Sequence, residues 1–185
     1  PMRKKIKTLL SERQFNLVID RLCHQIMERH GQSSNTCLIG IQQKGALLAG
    51  RIHKRISELK NDFHMPFGKL DITFSRDDFR LTKKLPSAHR TDIDFLIDHK
   101  NVLLVDDVLY TGRTIQAALL ELQNFGRPDS IELIVLVDRR FNRQLPIQAD
   151  YFGVCVDAVD ESYVKVDLAE EGGMDKVLFY EAPTT

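Results

Sequence analysis

Two adjacent carboxylates, Asp106 and Asp107, end a short apolar run and stand directly before a loop of small, donor-rich residues. The stretch reads Val102-Leu103-Leu104-Val105-Asp106-Asp107-Val108-Leu109-Tyr110-Thr111-Gly112-Arg113-Thr114. Carboxylates repel phosphate but accept hydrogen bonds from vicinal hydroxyls. The loop has the opposite character. Thr111 and Thr114 carry hydroxyls, and Gly112 lets the backbone come close to a ligand. A ribose 5-phosphate meets both demands at once. The four apolar residues before Asp106 predict a strand buried on both faces, as in a parallel sheet. From Thr114 to Phe125 a helix is expected, with Ile115, Leu119 and Leu122 on one face. Thr114 also suits that helix's N-cap. The loop then lies where a strand's carboxyl end meets a helix's amino end. Open α/β sheets bind ligands there, and the helix dipole favours an anion. Tyr110 can close over the phosphate or simply pack.

Stepping outward from this loop, the rest of the chain supplies the elements that would hold it. Ser11 and Gln14 have capping-box spacing, and Phe15, Val18, Ile19, Leu22, Ile26 and Met27 follow at helical intervals up to Gly31. Thr36 to Ile41 reads as a buried strand. Gln42-Gln43-Lys44-Gly45 then turns into a second helix, about Ala46 to Leu59. Leu70 to Phe74 reads as a third strand. Residues 77–95 are polar, basic and proline-containing, and so long a loop in a compact domain is expected to be functional or disordered. Gly126 and Pro128 close the helix after the loop. Ile131 to Val137 is a further buried strand, with shorter ones near Tyr151 to Val156, Tyr163 to Leu168 and Val177 to Tyr180. Alternating strands and helices predict one α/β domain with a parallel sheet.

The chain has 185 residues, is 43% apolar and 28% charged, and has a formal net charge of zero. That length suits a single domain spanning 1–185 with its own core. No run is long enough to span a bilayer. The basic start, with Arg3, Lys4, Lys5 and Lys7, reads as a solvated N-terminal arm over about residues 1–10. Cys23, Cys37 and Cys155 sit in apolar patterns, as reduced core thiols of a cytoplasmic protein. No metal-ligand spacing occurs, so no protein metal site is expected. Zero net charge weighs against nucleic acid as the main partner, although Arg76 to Arg90 and Arg139 to Arg143 are locally basic.

The Asp106–Asp107 stretch closely resembles the phosphoribosyl pyrophosphate (PRPP) motif of type I phosphoribosyltransferases. Further blocks extend the likeness: Asp71-Ile72-Thr73-Phe74-Ser75-Arg76-Asp77-Asp78, Gly126-Arg127-Pro128, Val135-Leu136-Val137-Asp138-Arg139 and Leu145-Pro146-Ile147-Gln148-Ala149-Asp150-Tyr151. In this order they resemble the bifunctional pyrimidine operon regulator/uracil phosphoribosyltransferase family, over roughly residues 11 to 180. The resemblance implies the type I fold: a central, mostly parallel sheet of about five strands flanked by helices, with a small hood. It implies transfer of the phosphoribosyl group of PRPP to uracil, giving UMP and pyrophosphate in pyrimidine salvage. It also implies Mg²⁺ held mainly by substrate, and a homodimer or homotetramer.

Carried over residue by residue, the resemblance assigns Asp106 and Asp107 to the ribose hydroxyls. It gives Val105, Val108, Leu109, Tyr110, Thr111, Gly112, Arg113 and Thr114 to the rest of the PRPP motif, the last four around the 5-phosphate. Lys44 and Gly45 match the pyrophosphate turn, where the family often has a non-proline cis peptide and often reads Lys-Thr-Arg-Gly. Here Gln42 replaces the first cation. Arg76 is expected on pyrophosphate, and residues 77–95, with Arg80, Lys83 and Lys84, as a mobile hood loop. Val137, Asp138 and Arg139 are expected near the base, with Arg139 donating to a uracil carbonyl. Tyr163 and Val164 lie where related enzymes stack a base and read its edge.

The family's second activity is binding leader RNA. Arg21 and His24 match positions linked to RNA, but Asp20 stands where many relatives have Thr. Arg140-Phe141-Asn142-Arg143-Gln144-Leu145-Pro146 stands where relatives often read Gly-His-Arg-Glu-Leu-Pro, one residue longer and without the Gly, and Val154-Cys155-Val156-Asp157-Ala158 with Asp160-Glu161 replaces a stretch that carries lysines in relatives. The expectation is therefore a uracil phosphoribosyltransferase, with RNA the weaker candidate partner. A UMP-sensing attenuation regulator with weak transfer activity is the alternative. A purine phosphoribosyltransferase is a further one, since its PRPP half would look the same.

Overall fold

The apolar run before Asp106 is buried from both sides. In the computed structural model, which describes residues 6–31, 35–73, 90–158 and 162–181, it forms strand β4 (Asn101–Leu109). Its side chains alternate between faces, as a pleated strand requires. Leu103 and Val105 join one apolar cluster, and Val102 and Leu104 join another. Around it lie β2 (Thr36–Ile41), β3 (Phe67–Leu70), β5 (Ser130–Arg140) and β6 (Tyr151–Asp157), in the order β3-β2-β4-β5-β6. All four pairings are parallel. This is the α/β architecture with the five-stranded parallel sheet that the sequence predicts.

Helices α1 (Glu12–His30) and α2 (Lys44–Leu59) cover one face, where Phe15, Leu22, Ile26, Leu48, Ile52 and Ile56 pack on Leu38, Leu103 and Ile134. Helix α3 (Arg113–Leu122) covers the other, with Ile115, Ala118 and Leu122 against Ile39, Leu104 and Val135. The Ser11 capping box forms as the spacing predicts. The Gln14 side chain accepts from the Ser11 N–H at 2.9 Å, and the Ser11 hydroxyl accepts from the Gln14 N–H at 3.4 Å.

Three expectations need correction. Residues 6–10, expected in a solvated arm, form β1 (Ile6–Leu10), which pairs antiparallel with β8 (Lys176–Tyr180). Strand β8 also pairs antiparallel with β7 (Tyr163–Asp167), completing a second sheet in the order β1-β8-β7. Its pairing joins chain segments about as far apart as the sequence allows, so no local pattern reveals it. The third strand of the main sheet ends at Leu70 rather than Phe74. Asp71 stops it: its carboxylate accepts from the Thr73 N–H at 2.9 Å, a local turn that competes with the ladder. Of the expected hood loop, residues 90–95 are packed. Asp92 exchanges backbone hydrogen bonds of 2.8 Å with Lys69, and Ile93 and Phe95 rest on the α3-side core. Residues 77–89 lie outside the described residues.

The small sheet is tied to the main domain by apolar contact and by charge. Val166 and Val177 enter the cluster beneath α1 and α2. Arg51 of α2 donates to both carboxylate oxygens of Asp175, at 2.7 and 2.8 Å, and to Glu170. At the end of the main sheet away from Asp106, a buried polar group closes the core. Glu132 accepts from the Tyr151 hydroxyl at 2.8 Å and lies 3.0 Å from His30 Nε2 and 3.2 Å from Arg29. Cys23 and Cys37 are buried as expected, but Cys155 is exposed because β6 is the sheet edge.

Candidate active site

Strands β2 and β4 are parallel neighbours, yet the helices that follow them go to opposite faces of the sheet. Their carboxyl ends therefore diverge and leave a crevice, the place where open α/β sheets hold ligands. A pocket of about 240 Å³ lies there, lined by Ile41, Gln42, Gln43, Lys44, Ile72, Asp106, Asp107, Val108 and Thr114. Its walls are thus the two turns that leave the two strands.

The first wall is the start of α2. The peptide bond between Gln42 and Gln43 is cis, at the turn where the family resemblance placed such a bond. Lys44 is the first residue of α2, and its ammonium donates to the Val166 carbonyl oxygen of β7 and lies 3.4 Å from Glu171. The pocket's cation is therefore shared with the small sheet. Gly45 allows the close approach of this wall to the other. A β-carbon there would stand 2.5 Å from the Val105 carbonyl oxygen and 3.0 Å from Asp106 Cα.

The second wall is the end of β4. The ladder with β5 runs on through Val108 and Leu109, so both carboxylates sit on a paired strand and not on a loose loop. Asp106 is 6% exposed and accepts from the Asp107 N–H at 2.9 Å. Asp107 is half-buried. The N-cap of α3 is Gly112, not Thr114, which lies one residue inside the helix. Gly112 has φ +93°, a left-handed conformation that favours glycine. The first-turn N–H groups have no carbonyl behind them in the helix. One of them, of Arg113, is met at 3.3 Å by the Thr111 hydroxyl. Carboxylates therefore stand to one side of the pocket and helix-end donors to the other.

Lys44, Asp106, Asp107, Val108 and Thr114 are thus brought together, with Gly45 behind them and Thr111, Gly112 and Arg113 forming the turn into α3. Val105, Leu109 and Val137 are core residues. Asp138 and Arg139, both nearly buried, stand one strand further on and do not line this pocket. The Arg139 guanidinium lies 3.9 Å from the centroid of the Tyr110 ring. Tyr163 and Val164 also stand apart from it, on β7. The Tyr163 ring stacks on Tyr180 at 4.3 Å, and Val164 packs on the α1–α2 core. Arg76, Arg80, Lys83 and Lys84 lie outside the described residues.

One contributor was not singled out from sequence: the turn after β5. Its Gln144 N–H donates to the Thr111 carbonyl at 2.9 Å, and its Leu145 and Ile147 side chains lie under Gly112. The signal available was the Leu145-Pro146-Ile147 block itself, but nothing local ties it to a loop some thirty residues earlier. Among the described residues, no group of three or more His, Cys, Asp or Glu side chains is placed to hold a metal ion. Nor is any helix there long and apolar enough to cross a membrane.

The chain resembles known proteins in sequence and in fold. The phosphoribosyl transferase domain family matches residues 5–171. The chain is 41% identical to the "Bifunctional protein PyrR" of Caldicellulosiruptor bescii, covering 95% of each chain. It is 44% identical to the protein of that name from Haemophilus ducreyi, covering 92% of this chain and 94% of the other. Among solved structures, a hypoxanthine-guanine phosphoribosyltransferase of Bacillus anthracis superposes with a TM-score of 0.70 at 20% identity, covering 96% and 98%. A hypoxanthine phosphoribosyltransferase of Staphylococcus aureus does so with a TM-score of 0.67 at 22% identity, covering 96% and 93%. At those identities the structures speak to the fold alone, which is the type I phosphoribosyltransferase fold.

Proposed function

Because the chain belongs to the phosphoribosyltransferase family and to its bifunctional PyrR proteins, we propose that it transfers the phosphoribosyl group of PRPP to uracil, giving UMP and pyrophosphate. The observation that carries this reading is the shared pocket of the Lys44 turn, Asp106, Asp107 and Thr114. In the proposed reaction the bond from ribose C1 to pyrophosphate breaks as uracil N1 bonds to C1, and the N1 proton leaves to the departing pyrophosphate or to solvent. Positive charge gathers on the ribose and negative charge on the departing pyrophosphate. Asp106 and Asp107 would hold the ribose hydroxyls and steady the positive sugar. Lys44 and the start of α2 would take the pyrophosphate. Thr111 to Thr114 would hold the 5-phosphate, fixing C1 between the two walls.

Two carboxylates beside a polyphosphate site suit Mg²⁺, a hard cation that keeps few protein ligands. Asp106 and Asp107 are the residues that would help to hold it, and when bound it neutralises pyrophosphate charge. Asp138 and Arg139 remain our candidates for the uracil side; Tyr163 and Val164 are kept as base-side candidates on the family resemblance alone. A homodimer or homotetramer is proposed on the family resemblance alone.

An RNA-binding activity draws less support from this chain. On α1, Arg21 donates to the Gly153 carbonyl at 2.6 Å and to that of Phe152, while Asp20 pairs with Arg55 at 2.6 Å. Those cations already have internal partners.

The test of the site is transfer itself. The wild-type protein should form UMP from uracil and PRPP with Mg²⁺. The Asp106→Asn/Asp107→Asn variant should lose it while keeping its circular dichroism and unfolding midpoint. An unchanged kcat/KM in that variant removes these residues from the mechanism.

A further inference from the structure

We propose that Arg143 is a positioning residue: it fixes the 5-phosphate turn to the strand that carries the base-side residues before any ligand arrives. The inference rests on the PRPP reading of the site and adds a residue to it. The ladder between β4 and β5 ends at the pair Leu109 and Asp138. Beyond it the two chains separate, and the Tyr110 carbonyl oxygen needs a donor from elsewhere. Arg143 supplies it. One guanidinium nitrogen donates to that oxygen, and the other donates to Asp138 Oδ1 at 2.7 Å. Both side chains of the pair are largely withdrawn from solvent, at 23% and 12% exposure. A planar, delocalised cation with fixed donor directions is suited to bridging two acceptors in this way, and a lysine is not.

The residues beside Arg143 continue the contact. The Gln144 N–H donates to the Thr111 carbonyl at 2.9 Å, and the Gln144 side chain accepts from Arg113 Nε at 2.7 Å. Under Gly112 the space is filled: a β-carbon there would lie 3.3 Å from Ile147 and 3.4 Å from Leu145. From above, Arg139 covers the Tyr110 ring. Each residue from Tyr110 to Gly112 is therefore held from the β5 side, as is the Arg113 guanidinium. A turn ordered in advance spares the ligand the entropy of ordering it, so the effect should appear in PRPP affinity. Arg143 thereby links the strand proposed to meet the base with the turn proposed to meet the phosphate.

The experiment compares wild type with Arg143→Gln, Arg143→Lys and Gln144→Ala. PRPP dissociation constants are measured by calorimetry, and KM for each substrate, kcat and the unfolding midpoint are measured alongside. Arg143→Gln should weaken PRPP by about tenfold, the scale of one charge-assisted hydrogen bond lost, with a smaller change in kcat. Arg143→Lys should recover part of the affinity, and Gln144→Ala, an exposed residue, should show a smaller loss of the same sign. A folded Arg143→Gln protein with unaltered PRPP affinity and a lowered unfolding midpoint overturns the proposal, because that is a merely structural role. Should Arg143→Gln fail to fold, PRPP affinity equal to wild type in a folded Arg143→Lys protein overturns it instead, because lysine cannot bridge both acceptors. If wild type binds PRPP but transfers it to no base, the uracil reading fails, and the PRPP constants still judge Arg143.

Discussion

Replacing Gly45 with alanine sets two physical effects against each other, and the geometry decides between them. Gly45 is the second residue of α2. On helix propensity alone, alanine should stabilise by up to about 1 kcal/mol. Against this, its β-carbon would stand 2.5 Å from the Val105 carbonyl oxygen and 3.0 Å from Asp106 Cα, both backbone atoms in the centre of the sheet. Carbon–oxygen contacts ordinarily sit at about 3.3–3.6 Å, so the first turn of α2 must retreat by about 0.8 Å or more. Neither partner is a flexible side chain that can swing aside. Overpacking of this kind costs about 1–3 kcal/mol, which exceeds the propensity gain. The retreat also carries Lys44 away from Asp106 and widens the pocket between the two walls. Displacements near 1 Å can cost on the order of 100-fold in rate. The expected result is a protein less stable by up to about 2 kcal/mol in urea unfolding. Its kcat/KM for PRPP should fall by about 10- to 100-fold in steady-state assays. An alanine variant that is more stable than wild type and equally active refutes the argument that the two walls need this contact.

Three further outcomes follow from the buried groups. Burial acts to raise the Glu132 carboxyl, but hydrogen bonds from His30 and Tyr151 and the nearby His30 and Arg29 charges outweigh it and hold it below its ordinary value. A depressed carboxyl stabilises above its unfolded-state pKa and loses that contribution as pH falls through the folded-state value. Glu132→Gln should therefore cost about 1–3 kcal/mol at pH 7 and narrow the gap from wild type in strong acid; equal urea curves at both pH values contradict this. Hydrogen bonds from Arg51 hold the Asp175 and Glu170 carboxyls below their usual range. Arg51→Leu should destabilise by up to about 3 kcal/mol and speed amide exchange in Tyr163–Asp167 and Lys176–Tyr180, so unchanged exchange there would show that the small sheet holds without it. Burial pushes the Cys23 thiol up to about 12 and the Cys37 thiol up to about 11, while Cys155 is exposed. An aromatic disulfide reagent should label Cys155 alone in the native protein, and rapid labelling of either other cysteine contradicts the packing.

The parts of the fold that the sequence made legible are those with a local or periodic cause. Strand β2 has the predicted bounds because a continuous apolar run between polar residues admits few alternatives. The Ser11 capping box and the α3 face are likewise short-range. Asp106 and Asp107 stand out because their contrast with the following donor-rich turn is written in consecutive residues. What escaped has a long-range cause. Strand β1 depends on β8 at the other end of the described chain, and the exposure of Cys155 depends on β6 having no neighbour beyond it among the described residues. Gly112 takes the N-cap from Thr114, and the fit of its backbone over Leu145 and Ile147 is a contact that no local pattern foresees. The Arg139 and Tyr110 contact, and the Arg143 bridge, join segments about thirty residues apart. Only the sheet's register brings them together.

The most direct test of the central claim is a parallel assay of the purified protein with PRPP and Mg²⁺ against uracil, hypoxanthine, guanine and orotate, following nucleotide formation. UMP should form from uracil, with little product from the other bases. Transfer to a purine or to orotate in preference to uracil, or UMP binding with no transfer to any base, contradicts it.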